Sequence, residues 1–117
     1  MNQSYTEYVV EETRKLLAID SPSGYTANVA EYLMKEYKAL GYEPVQTVKG
    51  GVLVKIGGAD ENDAVLLEAH GDTLGAMVCQ RKSSGRLKVT PLGGMNPNNA
   101  EAENCRIVTK SGKVYTG

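Results

Sequence analysis

The sequence contains no tryptophan and no phenylalanine, so seven tyrosines supply all of its aromatic side chains. Each tyrosine hydroxyl must reach water or a hydrogen-bonding partner, which predicts an aliphatic core with several tyrosines at its edge. No apolar run approaches the roughly 20 residues that a membrane-spanning helix needs, because Glu68 interrupts the best stretch, residues 64–69. The N-terminus lacks a basic segment followed by an apolar one, so nothing indicates secretion. We therefore expect a cytoplasmic protein.

The chain also lacks an excess of either charge. Thirteen basic residues stand against fourteen acidic ones among 117, which gives a formal net charge of -1, and neither sign forms a block. Nucleic-acid arms and anchors for anionic membranes need such blocks, so we expect neither a nucleic-acid partner nor a membrane partner. With 41% hydrophobic and 23% charged residues, the composition is that of one modest globular domain.

Cysteine is scarce as well. Cys79 and Cys105 stand far apart, without the C-x-x-C spacing of a thiolate zinc site or a redox motif. Two isolated cysteines do not form a disulfide framework either. The sequence therefore predicts two reduced cysteines that pack as small apolar residues within β-strands.

Two amphipathic helices open the chain. Apolar residues recur at helical spacing over residues 6–19 and again over residues 26–40. The turn between them contains Pro22, which cannot continue a helix, and Gly24, which permits a positive φ. Gly41 stands where a left-handed residue commonly ends a helix. Two helices joined by a short loop are expected to pack on one face of the fold.

The remaining pattern is that of β-strands separated by glycine-rich turns. It predicts a hairpin over residues 45–48 and 52–56, and a central strand over residues 64–69 that is covered on both faces. Four further strands are predicted over residues 75–80, 86–90, 105–109 and 113–116. The glycine pairs lack the spacing of phosphate-binding loops and are interpreted as turns. Residues 92–99 form either a mobile surface loop or a contact between subunits. The predicted class is α/β, with an α/β layer that gives way near residues 72–75 to a small antiparallel β unit.

The candidate site is the sequence His70-Gly71-Asp72, which contains the only histidine and follows the predicted central strand. Ligands of open α/β sheets bind at this end of the strands. One ring nitrogen of His70 could bind a metal, while the Asp72 carboxylate holds the proton of the other nitrogen and fixes the orientation of the ring. Gly71 is expected to let the backbone turn sharply between them. A lone histidine at a strand end is more often structural, so the surrounding sequence has to support this interpretation.

The surroundings of His70 resemble one family. Residues 64–78, the Pro91-Leu92-Gly93-Gly94 turn and residues 104–117 are similar to the glutamyl aminopeptidase family of dinuclear-metal exopeptidases, also called tetrahedral aminopeptidases. The two helices and the Ser21-Pro22-Ser23-Gly24 loop fit this family too. The resemblance implies a phosphorylase/peptidase-like α/β sandwich. Residues 1–72 would form the amino-terminal part of this catalytic domain, and residues 73–117 would start an inserted, barrel-like β-domain. It also implies a protein several times longer than this chain.

The same resemblance implies a function. In the family, the histidine that matches His70 binds one of two divalent metal ions, zinc or cobalt, and the aspartate that matches Asp72 orients it in the catalytic site. The implied activity is hydrolysis of peptide amide bonds at the N-terminus of peptides, by a homo-oligomer. Thr73 and residues 74–76 depart from the commoner family pattern and leave the substrate preference open.

This chain by itself is expected to lack the complete metal site. It has no second histidine, and its other candidate carboxylates are interpreted as solvated surface charge because they stand at no ligand spacing; they include Asp20, Asp60, Asp63, Glu101 and Glu103. We therefore expect the chain alone to bind divalent metal weakly or not at all and to lack peptidase activity. Two alternatives stay open: a non-catalytic, β-rich assembly or binding module, and a deacylase of small N-acyl substrates.

Overall fold

The structure is a computed structural model that describes residues 4–60 and 62–117. Its two helices are α1 (Tyr5–Leu17) and α2 (Ala27–Ala39). Six short strands follow within the described residues, paired two by two into separate antiparallel sheets. They are β1 (Val45–Gln46), β2 (Val52–Leu53), β3 (Gly75–Arg81), β4 (Leu87–Leu92), β5 (Arg106–Val108) and β6 (Val114–Thr116). Both predicted helices are confirmed.

Local chemistry sets the start of α1. The Ser4 hydroxyl accepts a hydrogen bond from the Glu7 N–H at 3.2 Å, and the Glu7 carboxylate accepts one from the Ser4 N–H at 3.0 Å. This reciprocal capping satisfies two backbone donors that the helix itself leaves unpaired. Arg14 and Lys15 lie in the last turn, where positive charge interacts favourably with the helix dipole.

Glycine ends α2 as the sequence predicts. Gly41 has a φ of 89°, and its N–H donates to the Lys38 carbonyl at 2.9 Å. The Tyr42 N–H donates to the Tyr37 carbonyl at 3.0 Å, which completes a Schellman motif. Gly24, in the turn between the helices, has a φ of 86°. Its positive φ is confirmed as well.

A small apolar core lies on α2, and a polar contact joins α2 to α1. Val29 and Ala30 of α2 are each only 4% exposed. The Tyr32 hydroxyl of α2 donates to a Glu12 carboxylate oxygen of α1 at 2.6 Å, and Glu12 also pairs with Lys15 at 2.8 Å. Burial, and then the hydrogen bond to Glu12, raise the pKa of Tyr32 to about 12. The tyrosine thus lies at the edge of the core with its hydroxyl on a partner.

The predicted hairpin is present with shorter strands, and the four further predicted strands form two more antiparallel pairs. β1 pairs with β2 in the register Val45 with Leu53 and Gln46 with Val52. β3 pairs with β4 over most of their length, with a bulge between Val78 and Gln80. β5 pairs with β6, and reciprocal backbone hydrogen bonds between Cys105 and Gly117 extend this pair. Residues 92–99 contain the end of β4 and the start of a single 3-10 turn, Pro97–Ala100.

The predicted central strand over residues 64–69 is wrong. None of these residues belongs to a hydrogen-bonded strand. Their apolar side chains face solvent, since Val65, Leu66 and Leu67 are 86%, 71% and 84% exposed. A strand is defined by the ladder that a neighbouring strand completes, and no described strand pairs with this segment. The apolar pattern therefore identifies a segment that needs cover, but this structure supplies none.

The predicted packing role of the cysteines is also wrong. Both thiols are free, as predicted, but Cys79 in β3 and Cys105 before β5 are exposed. The Cys79 thiol donates to the Lys88 carbonyl across the hairpin at 3.3 Å. A two-stranded sheet without a third strand or a covering helix leaves both of its faces open to water. Strand position alone therefore does not bury these side chains.

The described chain is open. Its accessible surface is 10361 Å², whereas a compact protein of 12.6 kDa exposes about 6,200 Å². Its radius of gyration is 18.2 Å, compared with about 13 Å for a compact chain of this length. The two helices and the small antiparallel sheets confirm the general α/β class. Neither helix of the described part is long and apolar enough to cross a membrane.

Candidate functional site

The loop between the helices is joined to the segment that carries the candidate site. The Thr73 N–H donates to the Ser21 carbonyl at 2.9 Å, and Pro22 forms an isolated parallel bridge with Thr73. The Ser21 side chain is completely buried, and its hydroxyl donates to the Gly71 carbonyl at 3.1 Å. Backbone and side-chain hydrogen bonds therefore hold together two segments that lie about 50 residues apart in sequence.

The structure brings His70 and Asp72 into direct contact. The His70 Nδ1 atom lies 3.1 Å from the Asp72 Oδ1 atom and 3.0 Å from the Asp72 backbone oxygen. Both neighbours are hydrogen-bond acceptors, so the neutral ring carries its proton on Nδ1 and keeps a lone pair on Nε2. The His70 side chain is 86% exposed and the Asp72 side chain 40% exposed. The unprotonated nitrogen is therefore open to a ligand.

Ser23 contacts the other oxygen of the same carboxylate. Its hydroxyl donates to the Asp72 Oδ2 atom at 2.5 Å. The hydrogen bond from Ser23 lowers the pKa of Asp72, and the hydrogen bond from His70 lowers it further. The carboxylate thus accepts from Ser23 on one oxygen and from His70 on the other. Sequence reasoning missed the contact of Ser23, because no spacing rule connects residues that lie 49 positions apart.

The glycine that this junction requires is Gly75 rather than Gly71. Gly71 does not have a positive φ, and a Cβ at this position would lie 3.9 Å from the nearest Val29 methyl group. The expectation that Gly71 provides a sharp turn is wrong, since residues 70–72 form neither a turn nor a bend. A Cβ at Gly75 would lie 2.6 Å from the Pro22 Cβ atom, a separation that real Cβ atoms do not show. Glycine at 75 lets the loop approach the start of β3.

A second contact fixes the same loop to the last hairpin. An Arg106 guanidinium nitrogen lies 2.5 Å from an Asp20 carboxylate oxygen, although the residues are 86 positions apart. The interpretation of Asp20 as a merely solvated charge is therefore wrong. The other carboxylates of that set are exposed, in agreement with the sequence; they are Asp60, Asp63, Glu101 and Glu103.

His70 can supply one ligand of a metal site, but the residues around it do not supply the remaining ligands. No group of three His, Cys, Asp or Glu side chains that could hold a metal occurs within residues 4–60 and 62–117. A structural or catalytic zinc ion has about four ligands, of which at least three come from protein. His70 offers one nitrogen, and both Asp72 oxygens already accept hydrogen bonds. An open groove beside the ring is lined by α2, the β1–β2 hairpin and residues 66–74.

Comparison with known proteins identifies related sequences. The family described as M42 glutamyl aminopeptidase matches residues 50–117. The protein named "Putative aminopeptidase YhfE" of Bacillus subtilis (strain 168) is 44% identical over 111 residues, which cover 92% of this chain and 31% of that protein. "Glutamyl aminopeptidase" of Lactococcus lactis subsp. cremoris (strain MG1363) is 33% identical over 111 residues, with the same coverage of 92% and 31%.

An archaeal protein is similar over nearly the same extent. "Lysyl aminopeptidase" of Pyrococcus furiosus is 27% identical over 106 residues, which cover 90% of this chain and 30% of that protein. The aligned part of the chain thus spans a little under a third of the length of each of these curated relatives. All three names describe aminopeptidases, although two of them specify different residues.

Proposed function

The chain belongs to the M42 glutamyl aminopeptidase family, and from this membership we propose that it is the amino-terminal portion of a metal-dependent aminopeptidase. The complete enzyme hydrolyses amide bonds at the N-terminus of peptides. The names of the relatives support the class of reaction. The single observation that carries the proposal is the His70 ring, whose Nδ1 atom is held by Asp72 while its side chain is 86% exposed to solvent.

In this proposal His70 is a metal ligand and Asp72 is the residue that orients it. Asp72 accepts the Nδ1 proton, which leaves the Nε2 lone pair available and limits rotation of the ring. A carboxylate on the far nitrogen also makes the coordinating nitrogen more basic. When bound, two divalent ions, zinc or cobalt, supply Lewis acidity and lower the pKa of water at the site.

The other metal ligands and the general base are assigned to residues outside this chain. Three observations support this assignment. The aligned relatives are about three times as long, the described residues hold no group of three potential ligands, and the chain exposes far more surface than a compact protein of its mass. We accordingly propose that the 117-residue chain alone has no peptidase activity and binds zinc weakly or not at all.

The division of the chain and its assembly are part of the same proposal. Residues 1–72 belong to an α/β catalytic domain of the sandwich type, and residues 73–117 start the inserted β-domain. The complete protein is cytoplasmic and assembles as a homo-oligomer. The helix pair packed near the site and the change to hairpins after Asp72 support the boundary, and the exposed apolar side chains of residues 65–67 support burial against further protein.

The proposal is tested by His70→Ala in the complete enzyme. Loss of the ligand removes one metal ion per subunit and nearly all peptide hydrolysis, whereas Asp72→Asn weakens metal binding about 10- to 100-fold because the orienting carboxylate is lost. Metal content and release of amino acids from peptides measure both effects. Glu103→Gln, a change at an exposed carboxylate, is the matched control and leaves both unchanged. Two metal ions and full activity in His70→Ala would contradict the proposal.

Substrate choice separates the enzymatic alternatives. Metal-assisted hydrolysis acts on any suitably bound amide, so the complete enzyme is compared on peptides with a free N-terminus and on N-acyl amino acids. Faster cleavage of the N-acyl compounds would make it a deacylase. The exposed apolar segment also favours a second candidate, a non-catalytic assembly module. That candidate is supported if the complete protein assembles but hydrolyses neither class of substrate.

A further inference from the structure

We propose that Ser23 is a positioning residue for His70 and that it acts through Asp72. The inference deepens the proposed function and rests on it, because the ring that Ser23 positions is the proposed metal ligand. The chain of contacts is continuous: the Ser23 hydroxyl donates to Asp72 Oδ2 at 2.5 Å, and Asp72 Oδ1 lies 3.1 Å from His70 Nδ1.

The need for a second donor follows from the aspartate side chain. The terminal torsion of an aspartate is broad, so one hydrogen bond leaves the plane of the carboxylate free to rotate. In the structure, Asp72 is held at both oxygens, by Ser23 on one and by His70 on the other. Ser23 thus fixes the carboxylate plane in the orientation that presents Oδ1 to the ring. Without its hydroxyl, Oδ2 loses this partner and the carboxylate turns toward water.

The Ser23 hydroxyl is itself held in place. Ser23 lies in a tight turn that is closed by a hydrogen bond of 2.7 Å from the Tyr25 N–H to the Pro22 carbonyl. The buried Ser21 side chain also holds the turn in place, because its hydroxyl donates to the Gly71 carbonyl. Pro22, in the same turn, lies so close to Gly75 that a Cβ at position 75 would have no room. These contacts fix the backbone that carries the Ser23 hydroxyl beside Asp72.

The chemical consequence is the choice of ring tautomer. A carboxylate held against Nδ1 keeps the proton there and leaves Nε2 unprotonated, which is the form that binds a metal. When the carboxylate is free to turn away, only the Asp72 backbone oxygen, 3.0 Å from Nδ1, still favours a proton there, so the preference for this tautomer weakens and part of the population moves its proton to Nε2. Ser23 therefore acts on the availability of Nε2, although it does not touch the ring.

The tautomer can be measured directly because His70 is the only histidine in the chain. The 117-residue chain is prepared with 15N-labelled histidine, and its ring nitrogens are recorded by NMR without metal or peptide, at a pH where the imidazole is neutral. In the wild type we expect a protonated, pyrrole-like Nδ1 and an unprotonated, pyridine-like Nε2. This readout does not involve hydrolysis, so it can fail while the proposed function stands, and the reverse also holds.

Three variants separate positioning from a merely structural role. Ser23→Ala removes the donor, and the two ring 15N shifts are expected to move toward each other as the tautomers mix. Ser23→Thr keeps a hydroxyl and restores the separation. Ser84→Ala, which removes an exposed serine hydroxyl in the turn between β3 and β4, is the matched control and leaves the shifts unchanged. A backbone amide spectrum confirms that each variant keeps the fold.

Two outcomes would overturn the inference: a wild-type ring that is protonated on Nε2, or a folded Ser23→Ala chain with unchanged ring shifts. If the short chain with Ser23→Ala does not fold, metal affinity of the complete enzyme takes the place of the ring shifts. There, Ser23→Ala is expected to weaken zinc binding about 10-fold, and Ser23→Thr to restore it. Equal affinity in Ser23→Ala and wild type would again count against the inference.

Discussion

Two neighbouring stretches of this chain behave in opposite ways. Residues 70–75 are joined to the loop between the helices by hydrogen bonds, by the completely buried Ser21 and by close packing of Pro22 on Gly75. Residues 64–69 come immediately before them and are more apolar, yet they pair with no strand of the described chain and expose Val65, Leu66 and Leu67 to solvent. The polar stretch is thus the ordered junction, and the apolar stretch is the uncovered one.

The contrast shows that apolar character and local packing are separate properties. An apolar side chain is buried only when a complementary surface lies within reach, and the helix pair offers its surface to residues 70–75. The contacts of the junction instead depend on polar groups from distant positions that meet in a defined geometry. Four changes, taken from the largest expected effect to the smallest, break or sharpen the contrast.

The first change places a methyl group inside the junction. Gly75→Ala puts a Cβ 2.6 Å from the Pro22 Cβ atom, so the loop must move and the chain should lose about 1–3 kcal/mol of stability. Gly71→Ala is the matched control, because its Cβ would lie at an ordinary contact distance of 3.9 Å from a Val29 methyl group. Urea unfolding and hydrogen exchange of the Thr73 amide measure the loss. Equal protection of the Thr73 amide from hydrogen exchange in the two variants would show that Pro22 does not constrain Gly75.

The second change compares one side chain from each region. Val29, under the junction, is 4% exposed, whereas Leu66 is 71% exposed. Val29→Ala should cost about 1–2 kcal/mol through lost burial and a small cavity, and Leu66→Ala should change stability by less than about 0.5 kcal/mol. Urea midpoints of the two variants give the comparison. A larger loss in Leu66→Ala would mean that residues 64–69 are buried in solution.

The third change tests what the exposed segment does. We expect copies of the chain to associate through the side chains of residues 65–67, so Leu67→Asp should shift sedimentation toward the monomer. Leu40→Asp is the control, since Leu40 is also exposed, at 54%, but lies at the end of α2. In the complete enzyme, where we propose that the segment is covered, Leu67→Asp should instead destabilise the fold. Association that responds equally to both changes would argue against a role of this segment.

The fourth change is a pH effect on the helix pair. Burial and the Glu12 carboxylate raise the pKa of Tyr32 to about 12, from an ordinary value of 10.0. The neutral hydroxyl is the donor, so its contribution to stability is complete below the ordinary pKa and is lost as the pH rises through the raised one. Tyrosinate absorbance should therefore contain a late component that Tyr32→Phe removes, beside that of Tyr8, whose pKa burial also raises. If the absorbance that Tyr32→Phe removes lies at the ordinary tyrosine pKa and the late component is unchanged, the contact with Glu12 does not form in solution.

The elements with local causes could be predicted from the sequence. Periodic apolar residues, the break at Pro22 and the glycine at 41 predict both helices. Alternating residues between glycine-rich turns predict the first hairpin and the four later strands, because these signals act over a few residues. The contact between His70 and Asp72 was predictable for the same reason, since only Gly71 separates them. Burial was not predictable in this way: residues 64–69 and the two cysteines carry the pattern of packed strands, but no described neighbour covers them.

The contacts that define the junction depend on the folded chain. Ser23 reaches Asp72 across 49 positions, and Asp20 reaches Arg106 across 86. Nothing in the residues near either partner indicates the other, because such pairs form only after two helices and a turn have set the path of the backbone. The same holds for glycine: the sequence indicates Gly71, next to the candidate site, but the approach of Pro22 makes Gly75 the position without room for a side chain. Local sequence therefore determines which groups can do chemistry here, and long-range packing determines how they are oriented, because orientation depends on partners that are distant along the chain.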